Sequence, residues 1–250
     1  MKPLIIAHRG SSFDFPENTK ASFDAACELK VDGIELDLQL TKDEQVVVFH
    51  DSFLDKAGKK GLKVCDLNWK ELCQLDVGEW FSTKFTGQKI LTLEDILNNY
   101  ALQSTLLLEI KADEHDPRHH LITEKIVQCL EDRQLLDKVF ILCFDHKVLH
   151  KALEMNPSIK AVYNRDFLDV NDPRLALRTN NISAISLNID LITTAAIQWV
   201  KNAKKSLMLW TCNERFQVLK ALDAKANYIM TDKPSSLLNN LPTKGSSQNN

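Results

Sequence analysis

His8-Arg9-Gly10 ends the apolar run Leu4-Ile5-Ile6-Ala7, setting a proton carrier and a fixed cation beside a glycine turn. An imidazole with an unperturbed pKa of ~6.5 can both take and give a proton near neutrality. A second histidine, His50, closes the run Val46-Val47-Val48-Phe49 and is followed by Asp51. Two such groups suit phosphodiester cleavage, one deprotonating the attacking hydroxyl while the other protonates the leaving alkoxide. Glu35 and Asp37 lie two apart in an apolar run, and Glu109 and Lys111 repeat that spacing further on. In a strand this turns both side chains to one face. Three carboxylates brought together at low dielectric repel one another unless one keeps its proton or a cation lies between them. One hard divalent cation, Mg2+ or Ca2+, is the expected partner of an all-oxygen set, since zinc prefers nitrogen and sulfur. Arg9 offers a fork for two phosphate oxygens, and Lys111 adds a second positive charge. Both would stabilise the charge that develops on pentavalent phosphorus.

Such residues need a scaffold that aims several strand ends at one place. Strand-like runs recur near 4–7, 33–38, 46–49, 105–110, 139–143, 159–163, 184–187, 206–210 and 227–230. Helical patterns fall near 17–29, 93–100, 121–133, 145–155, 192–203 and 214–223. This alternation argues for a parallel sheet with crossover connections. Chemistry at strand C-terminal ends is the arrangement of open α/β sheets and of TIM-type (β/α) barrels, and a chain of 250 residues is a common length for an α/β barrel as one unit. The link from Asp37 to Val46 is too short for a crossover helix, so it is a helix-free crossover or a hairpin. Nine runs for eight barrel places leave one strand peripheral or misassigned. Residues 52–91 read as a small insertion after the third strand, packed over the barrel mouth. A single catalytic domain is expected over 1–242, with a polar, disordered tail at 243–250.

Composition narrows the partners. The 250 residues are 44% hydrophobic and 26% charged, ordinary for a chain that buries a full core. A net charge of −3 gives no basic footprint, so no nucleic acid is expected. No apolar stretch approaches the ~20 residues of a membrane span. Met1-Lys2-Pro3 runs straight into the first strand, so no secretory leader, no stable membrane association and a cytoplasmic location are expected. The six cysteines show no metal or disulfide spacing and read as free thiols. His146 and His150 have the i,i+4 spacing of a two-histidine metal site but no evident third ligand, and read as a solvated helix face.

The ordered set His8-Arg9-Gly10, Pro16-Glu17-Asn18-Thr19, Glu35-Leu36-Asp37, His50-Asp51 and Glu109-Ile110-Lys111 resembles the glycerophosphodiester phosphodiesterase family. The similarity continues through Gly78-Glu79-Trp80-Phe81, Leu91-Thr92-Leu93-Glu94, Trp210-Thr211-Cys212-Asn213 and Ile229-Met230-Thr231-Asp232-Lys233-Pro234. It implies a TIM barrel with the metal on Glu35, Asp37 and Glu109, and Glu17 near the metal or the substrate hydroxyls. It also implies a small-molecule substrate such as glycerophosphocholine or glycerophosphoethanolamine, hydrolysed to glycerol 3-phosphate and an alcohol in lipid and glycerol metabolism.

In the favoured mechanism His8 deprotonates the glycerol 2-hydroxyl, which attacks phosphorus to give a cyclic phosphate. His50 protonates the departing alcohol, and water opens the ring. The two histidine roles are interchangeable at this level, and direct attack by water is the competing route. Trp210 is either a pocket wall against glycerol or a core tryptophan. Asn18 belongs either to the site or simply to a helix start. Ala226-Asn227-Tyr228, Leu91 and Cys143 depart from the family pattern without removing a proposed catalytic group. Two alternatives stand beside this reading. Trp80, Phe81 and Phe85 would suit a lysophospholipase D acting on lipids, and a catalytically silent binding barrel is the other.

Overall fold

The computed structural model describes residues 2–111 and 118–240. Among these residues the strands are β1 (Leu4–His8), β2 (Gly33–Leu40), β3 (Val46–Val48), β4 (Thr105–Ile110), β5 (Val139–Cys143), β6 (Lys160–Arg165), β7 (Ala184–Asn188), β8 (Ser206–Trp210) and β9 (Tyr228–Thr231). The helices are α1 (Lys20–Glu28), α2 (Trp69–Leu72), α3 (Leu93–Tyr100), α4 (His119–Asp132), α5 (His146–Met155), α6 (Leu175–Arg178), α7 (Thr194–Asn202), α8 (Arg215–Asp223) and α9 (Pro234–Asn240). Every strand except β3 runs parallel, in the order β1-β2-β4-β5-β6-β7-β8-β9, and β9 returns beside β1 to close a TIM-type barrel. The peripheral strand is β3, antiparallel to β2 with Leu40 opposite Val46. The short 37–46 link is therefore a hairpin, closed by Thr41 N donating to Gln45 O at 2.9 Å with Glu44 at φ 65°.

Alternation along the strands sorts the core into two parts. Outward residues such as Ile5, Leu36, Leu108 and Ile141 pack under the helices with Phe23, Ile96, Ile126 and Leu149. Inward residues Ile6, Leu107, Phe140, Leu142, Val162, Ala184, Met208 and Met230 fill the barrel with an apolar layer. Full burial of a side chain of this kind is worth about 1.5–3 kcal/mol relative to exposure. That layer is the floor on which the polar ring above it rests.

The first helix starts later than its pattern suggests. Thr19 is its N-cap, with the Thr19 hydroxyl accepting from Ser22 N at 3.4 Å and Thr19 N donating to the Ser22 hydroxyl at 3.3 Å. This reciprocal capping leaves Pro16–Asn18 outside the helix. Gly10 sits at φ +81°, and a Cβ there would lie 2.5 Å from Ser22 Oγ, so the turn after His8 requires glycine. The short helices α2 and α6 and the C-terminal α9 have too few turns to leave a periodic signal. Within 52–91, Leu54, Val64, Leu72, Val77 and Ile90 pack with Val47 and Phe49 into a satellite core. The tail from 243 lies outside the described residues. No helix among the described residues is long and apolar enough to cross a membrane.

Candidate active site

Two residues beyond the apolar floor, the same inward phase of the strands carries polar groups. Ile6 is followed by His8, Leu107 by Glu109, Val162 by Asn164, Ala184 by Ser186, Met208 by Trp210 and Met230 by Asp232. Strand register brings them together: His8 pairs with Glu35 across β1–β2, and Asp37 with Glu109 across β2–β4. Carboxylate oxygens of Glu35, Asp37 and Glu109 accordingly lie within 4.8 Å of one another, all three side chains buried.

Charge and burial divide these carboxyls. Burial, reinforced by Asp37 and Glu109, pushes Glu35 well above the usual carboxylate range. Burial also works against Asp37, but Lys111 and Arg9 beside it win and hold it below its ordinary value. Lys111 Nζ lies 2.9 Å from Asp37 Oδ1 and also contacts Glu109 Oε1. Its pKa is raised, because the two carboxylates overcome the cost of burying the ammonium. Arg9 adopts φ 56° in the left-handed region, and its guanidinium reaches Asp37 Oδ2 at 3.3 Å and Glu17 Oε2 at 3.2 Å. Its backbone N–H donates to Glu35 Oε2 at 3.2 Å. Asn18, also left-handed at φ 57°, turns inward to donate Nδ2 to Asp37 Oδ2 at 2.7 Å. Asn18 therefore borders the carboxylate cluster.

Both imidazoles are tethered at the same ring nitrogen. His8 Nδ1 lies 2.6 Å from Asp232 Oδ1, and His50 Nδ1 lies 2.8 Å from Asp51 Oδ1. A carboxylate can only accept, so Nδ1 carries the proton and Nε2 is left as the working nitrogen. His8 Nε2 is 3.8 Å from Glu35 Oε2, at the edge of the carboxylate cluster. Burial and the charges of Arg9 and Lys111 push His50 below its ordinary pKa, against the pull of Asp37 and Asp51. Lys56 from the insertion bridges Glu17 at 2.9 Å and Asp51 at 3.0 Å, linking that segment to the His50 side.

Of the residues singled out by sequence, His8, Arg9, Glu17, Glu35, Asp37, His50, Glu109 and Lys111 thus border one cluster. Trp210 lies at the same ring, its indole edge-on to Phe144 with centroids 6.0 Å apart. His146 and His150 are partly exposed on α5, and each also has a protein partner. His150 Nε2 meets the Arg178 carbonyl at 3.0 Å and His146 packs on the Tyr163 ring, because β6 and α6 close over that side of α5. Asp232, Asn164 and Ser186 are the residues sequence reasoning passed over. Asp232 also receives Asn213 Nδ2 at 2.6 Å and Ser12 Oγ at 3.1 Å, and Asn164 Nδ2 donates to Glu109 Oε2 at 2.9 Å. Asp232 stood within a matched motif, whereas the only signal for Asn164 and Ser186 is inward phase at a strand end. Asn164 Oδ1, Ser186 Oγ and Trp210 Nε1 are buried atoms without a hydrogen-bond partner among the described residues, as is Glu35 Oε1.

Cations that can grip an anion, imidazoles that can move protons and clustered carboxylates at a barrel mouth are the equipment of a phosphodiester hydrolase. Comparison with known proteins agrees. The Glycerophosphoryl diester phosphodiesterase family model matches residues 8–236, and the chain belongs to that family. A glycerophosphodiester phosphodiesterase of Caldanaerobacter subterraneus subsp. tengcongensis is 33% identical over 239 residues, covering 96% of this chain and 98% of the relative. One from Bacillus altitudinis is 30% identical over 234 residues, covering 92% and 94%. In fold, the chain matches an Oleispira antarctica phosphodiesterase solved with its product sn-glycerol-3-phosphate. That match has a TM-score of 0.85 at 24% identity, over 95% of this chain and 96% of the other.

Proposed function

We propose that residues 1–242 act as one catalytic domain that hydrolyses soluble glycerophosphodiesters, such as glycerophosphocholine or glycerophosphoethanolamine, with the aid of a hard divalent cation. The products are glycerol 3-phosphate and the head-group alcohol. The observation that carries this reading is the pair of carboxylate-tethered imidazoles bordering one buried carboxylate cluster. The cluster fits a cation: its donors are all oxygen, they repel one another, and Glu35 Oε1 has no partner among the described residues. Glu35, Asp37 and Glu109 would hold Mg2+ or Ca2+, which when bound polarises the phosphoryl group and offsets its developing charge.

The chain's own residues supply the rest. An incoming phosphodiester competes for the guanidinium of Arg9 and the ammonium of Lys111, now directed at Asp37, Glu17 and Glu109. His8 Nε2 takes the proton of the glycerol 2-hydroxyl as its oxygen bonds to phosphorus, and Asp232 stabilises the resulting imidazolium. His50 gives a proton to the departing alcohol oxygen. Because His50 is pushed down by burial and neighbouring cations, its protonation is helped by the negative charge the substrate brings. In the second half the roles reverse, and water opens the cyclic phosphate. Asn164 Oδ1, Ser186 Oγ and Trp210 Nε1 offer the buried, unpaired acceptors and donor that glycerol hydroxyls need.

The aromatics that suggested a lipid substrate pack on one another. Phe15 meets Phe85 at 5.5 Å, Phe85 meets Phe81 at 5.7 Å, and Phe81 meets Trp80 at 5.7 Å. A soluble substrate is therefore favoured. Six scattered cysteines without disulfide spacing suit a cytoplasmic site of action. The test is product analysis on a panel of glycerophosphodiesters and lysophospholipids, with added Mg2+ or Ca2+ and with excess chelator. Metal-restored release of glycerol 3-phosphate is expected. Full turnover in chelator overturns the metal, and turnover of lysophospholipids alone overturns the substrate class.

A further inference from the structure

We propose that this enzyme prefers glycerophosphodiesters whose head-group alcohol carries a second phosphate, held in a cationic cleft that leads outward from the catalytic ring. The inference rests on the phosphodiesterase reading above and specifies its substrate. A cavity of about 1420 Å3 takes in His50, Glu109 and Lys111 at one end and continues past the ends of β5 and β6 to α5 and α6. Small-ligand pockets usually span about 300–1,000 Å3, so a choline or ethanolamine head group would leave much of this space unused. The cavity does not take in Asn164, Ser186 or Trp210, which suit the glycerol. The head group is thereby assigned to the cleft.

Its outer wall is rich in fixed positive charge: Lys147 on α5, Arg165 on β6, and Arg174 and Arg178 at α6. Among the described residues the acids facing them are few. Asp172 takes Arg178 at 2.7 Å and Arg174 at 3.5 Å, and Asp145 caps α5 by accepting from Lys147 N at 2.8 Å. Glu154 also lines the cavity, and Glu124 pairs with the neighbouring Lys151 at 3.4 Å. Among the described residues the side-chain charges of Lys147 and Arg165 have no carboxylate partner within 4.0 Å. The acidic run Asp113–Asp116 lies outside the described residues.

The wall is also built rather than loose. The Arg165 guanidinium lies 5.6 Å from the Tyr163 ring centroid, and Tyr163 packs against His146 with centroids 6.2 Å apart. His146 stacks edge-on with His150, which is fixed to the Arg178 carbonyl at 3.0 Å. A trimethylammonium head group would meet like charge along this wall, whereas a phosphate meets a planar fork that can bind two of its oxygens. Hydrolysis there adds water across the scissile P–O ester bond. Glycerol 3-phosphate leaves, and the released alcohol gains the proton and keeps its own phosphate.

Three diesters of glycerol 3-phosphate test this, with glycerol, choline or glycerol phosphate as the head group, compared by kcat/KM at saturating Mg2+ or Ca2+. The phosphate-bearing head group should be favoured at least about tenfold over glycerol, with choline lowest. Raising salt should shrink that ratio, since the screening length falls from about 30 Å at 0.01 M to about 3 Å at 1 M. Arg165→Gln and Lys147→Gln should each lower the ratio several-fold, whereas Lys201→Gln on α7, away from the cleft, should leave the ratio as it is. Calorimetric binding to the His8→Ala variant reads the same order without turnover. Equal kcat/KM and equal binding for the three head groups would overturn the inference. If none is hydrolysed while the binding order holds, the cleft stands and the hydrolytic reading falls.

Discussion

Asp232→Asn is the most direct probe of how the ring prepares His8. Burial works to raise the Asp232 carboxyl, yet hydrogen bonding and charge from His8, with help from Asn213 and Ser12, bring it from 3.8 down to about 2. At 1.36 kcal/mol per unit, that corresponds to about 2 kcal/mol favouring the carboxylate in this setting. Asparagine keeps the shape but not the charge that stabilises an imidazolium. Losing about 2 kcal/mol at the step where His8 carries the extra proton slows turnover by about thirtyfold. An amide turned to present Nδ2 to the ring would also select the other tautomer and deepen the loss.

The expected result is kcat down about 30- to 1,000-fold on glycerophosphocholine, KM within a few-fold, and an unchanged circular dichroism spectrum. The sign of the stability effect follows from the same lowered carboxyl. Its contribution is present above the unfolded pKa of about 3.8 and is lost as pH falls through about 2. Between pH 4 and 2, wild type should therefore lose melting temperature more steeply than Asp232→Asn. A variant with wild-type kcat across the pH range would refute the role given to this carboxylate.

Glu35→Gln removes the carboxyl that burial, reinforced by Asp37 and Glu109, pushes well above the usual carboxylate range. It should weaken Mg2+ or Ca2+ binding in calorimetry while raising the melting temperature of the metal-free protein, and unchanged metal affinity would place the ion elsewhere. His50→Ala should cost about 10²–10⁴-fold on glycerophosphocholine but far less on a p-nitrophenyl ester of glycerophosphate, whose leaving group needs little protonation. Equal losses on the two substrates would remove His50 as the acid. A 2-deoxy analogue of glycerophosphocholine should bind but hardly react, because a held internal hydroxyl has an effective molarity of up to about 10⁵–10⁸ M. A kcat/KM comparable to that of the parent diester would make water the nucleophile.

What could be read from sequence was local. Two-residue spacing placed Glu35 with Asp37 and Glu109 with Lys111 on shared faces, and too short a link between Asp37 and Val46 left room for a hairpin. What could not be read depended on closure. His8 and Asp232 are 224 residues apart and meet because β9 returns beside β1. Asn18 joins Asp37 through a left-handed backbone that no composition rule specifies. His150 is anchored at the Arg178 carbonyl because α6, only four residues long, packs where no periodic pattern foretold a helix.

Floor and ring are also fixed by one choice of phase. Along β4, Leu107 faces the barrel interior while Leu106, Leu108 and Ile110 face the helices, so Glu109 and then Lys111 must rise on the interior side. A one-residue slip of β4 would send Glu109 and Lys111 under α4 and turn Leu108 and Ile110 to the mouth. It would bury two charges among apolar side chains, at several kcal/mol each after relaxation. The same slip would part Glu109 from Asp37 on the adjoining β2 and from Asn164, two strands away on β6. Hydrophobic burial therefore selects the register that assembles the carboxylates, even though their mutual repulsion acts against it. The site is held in place by leucines that never touch the substrate.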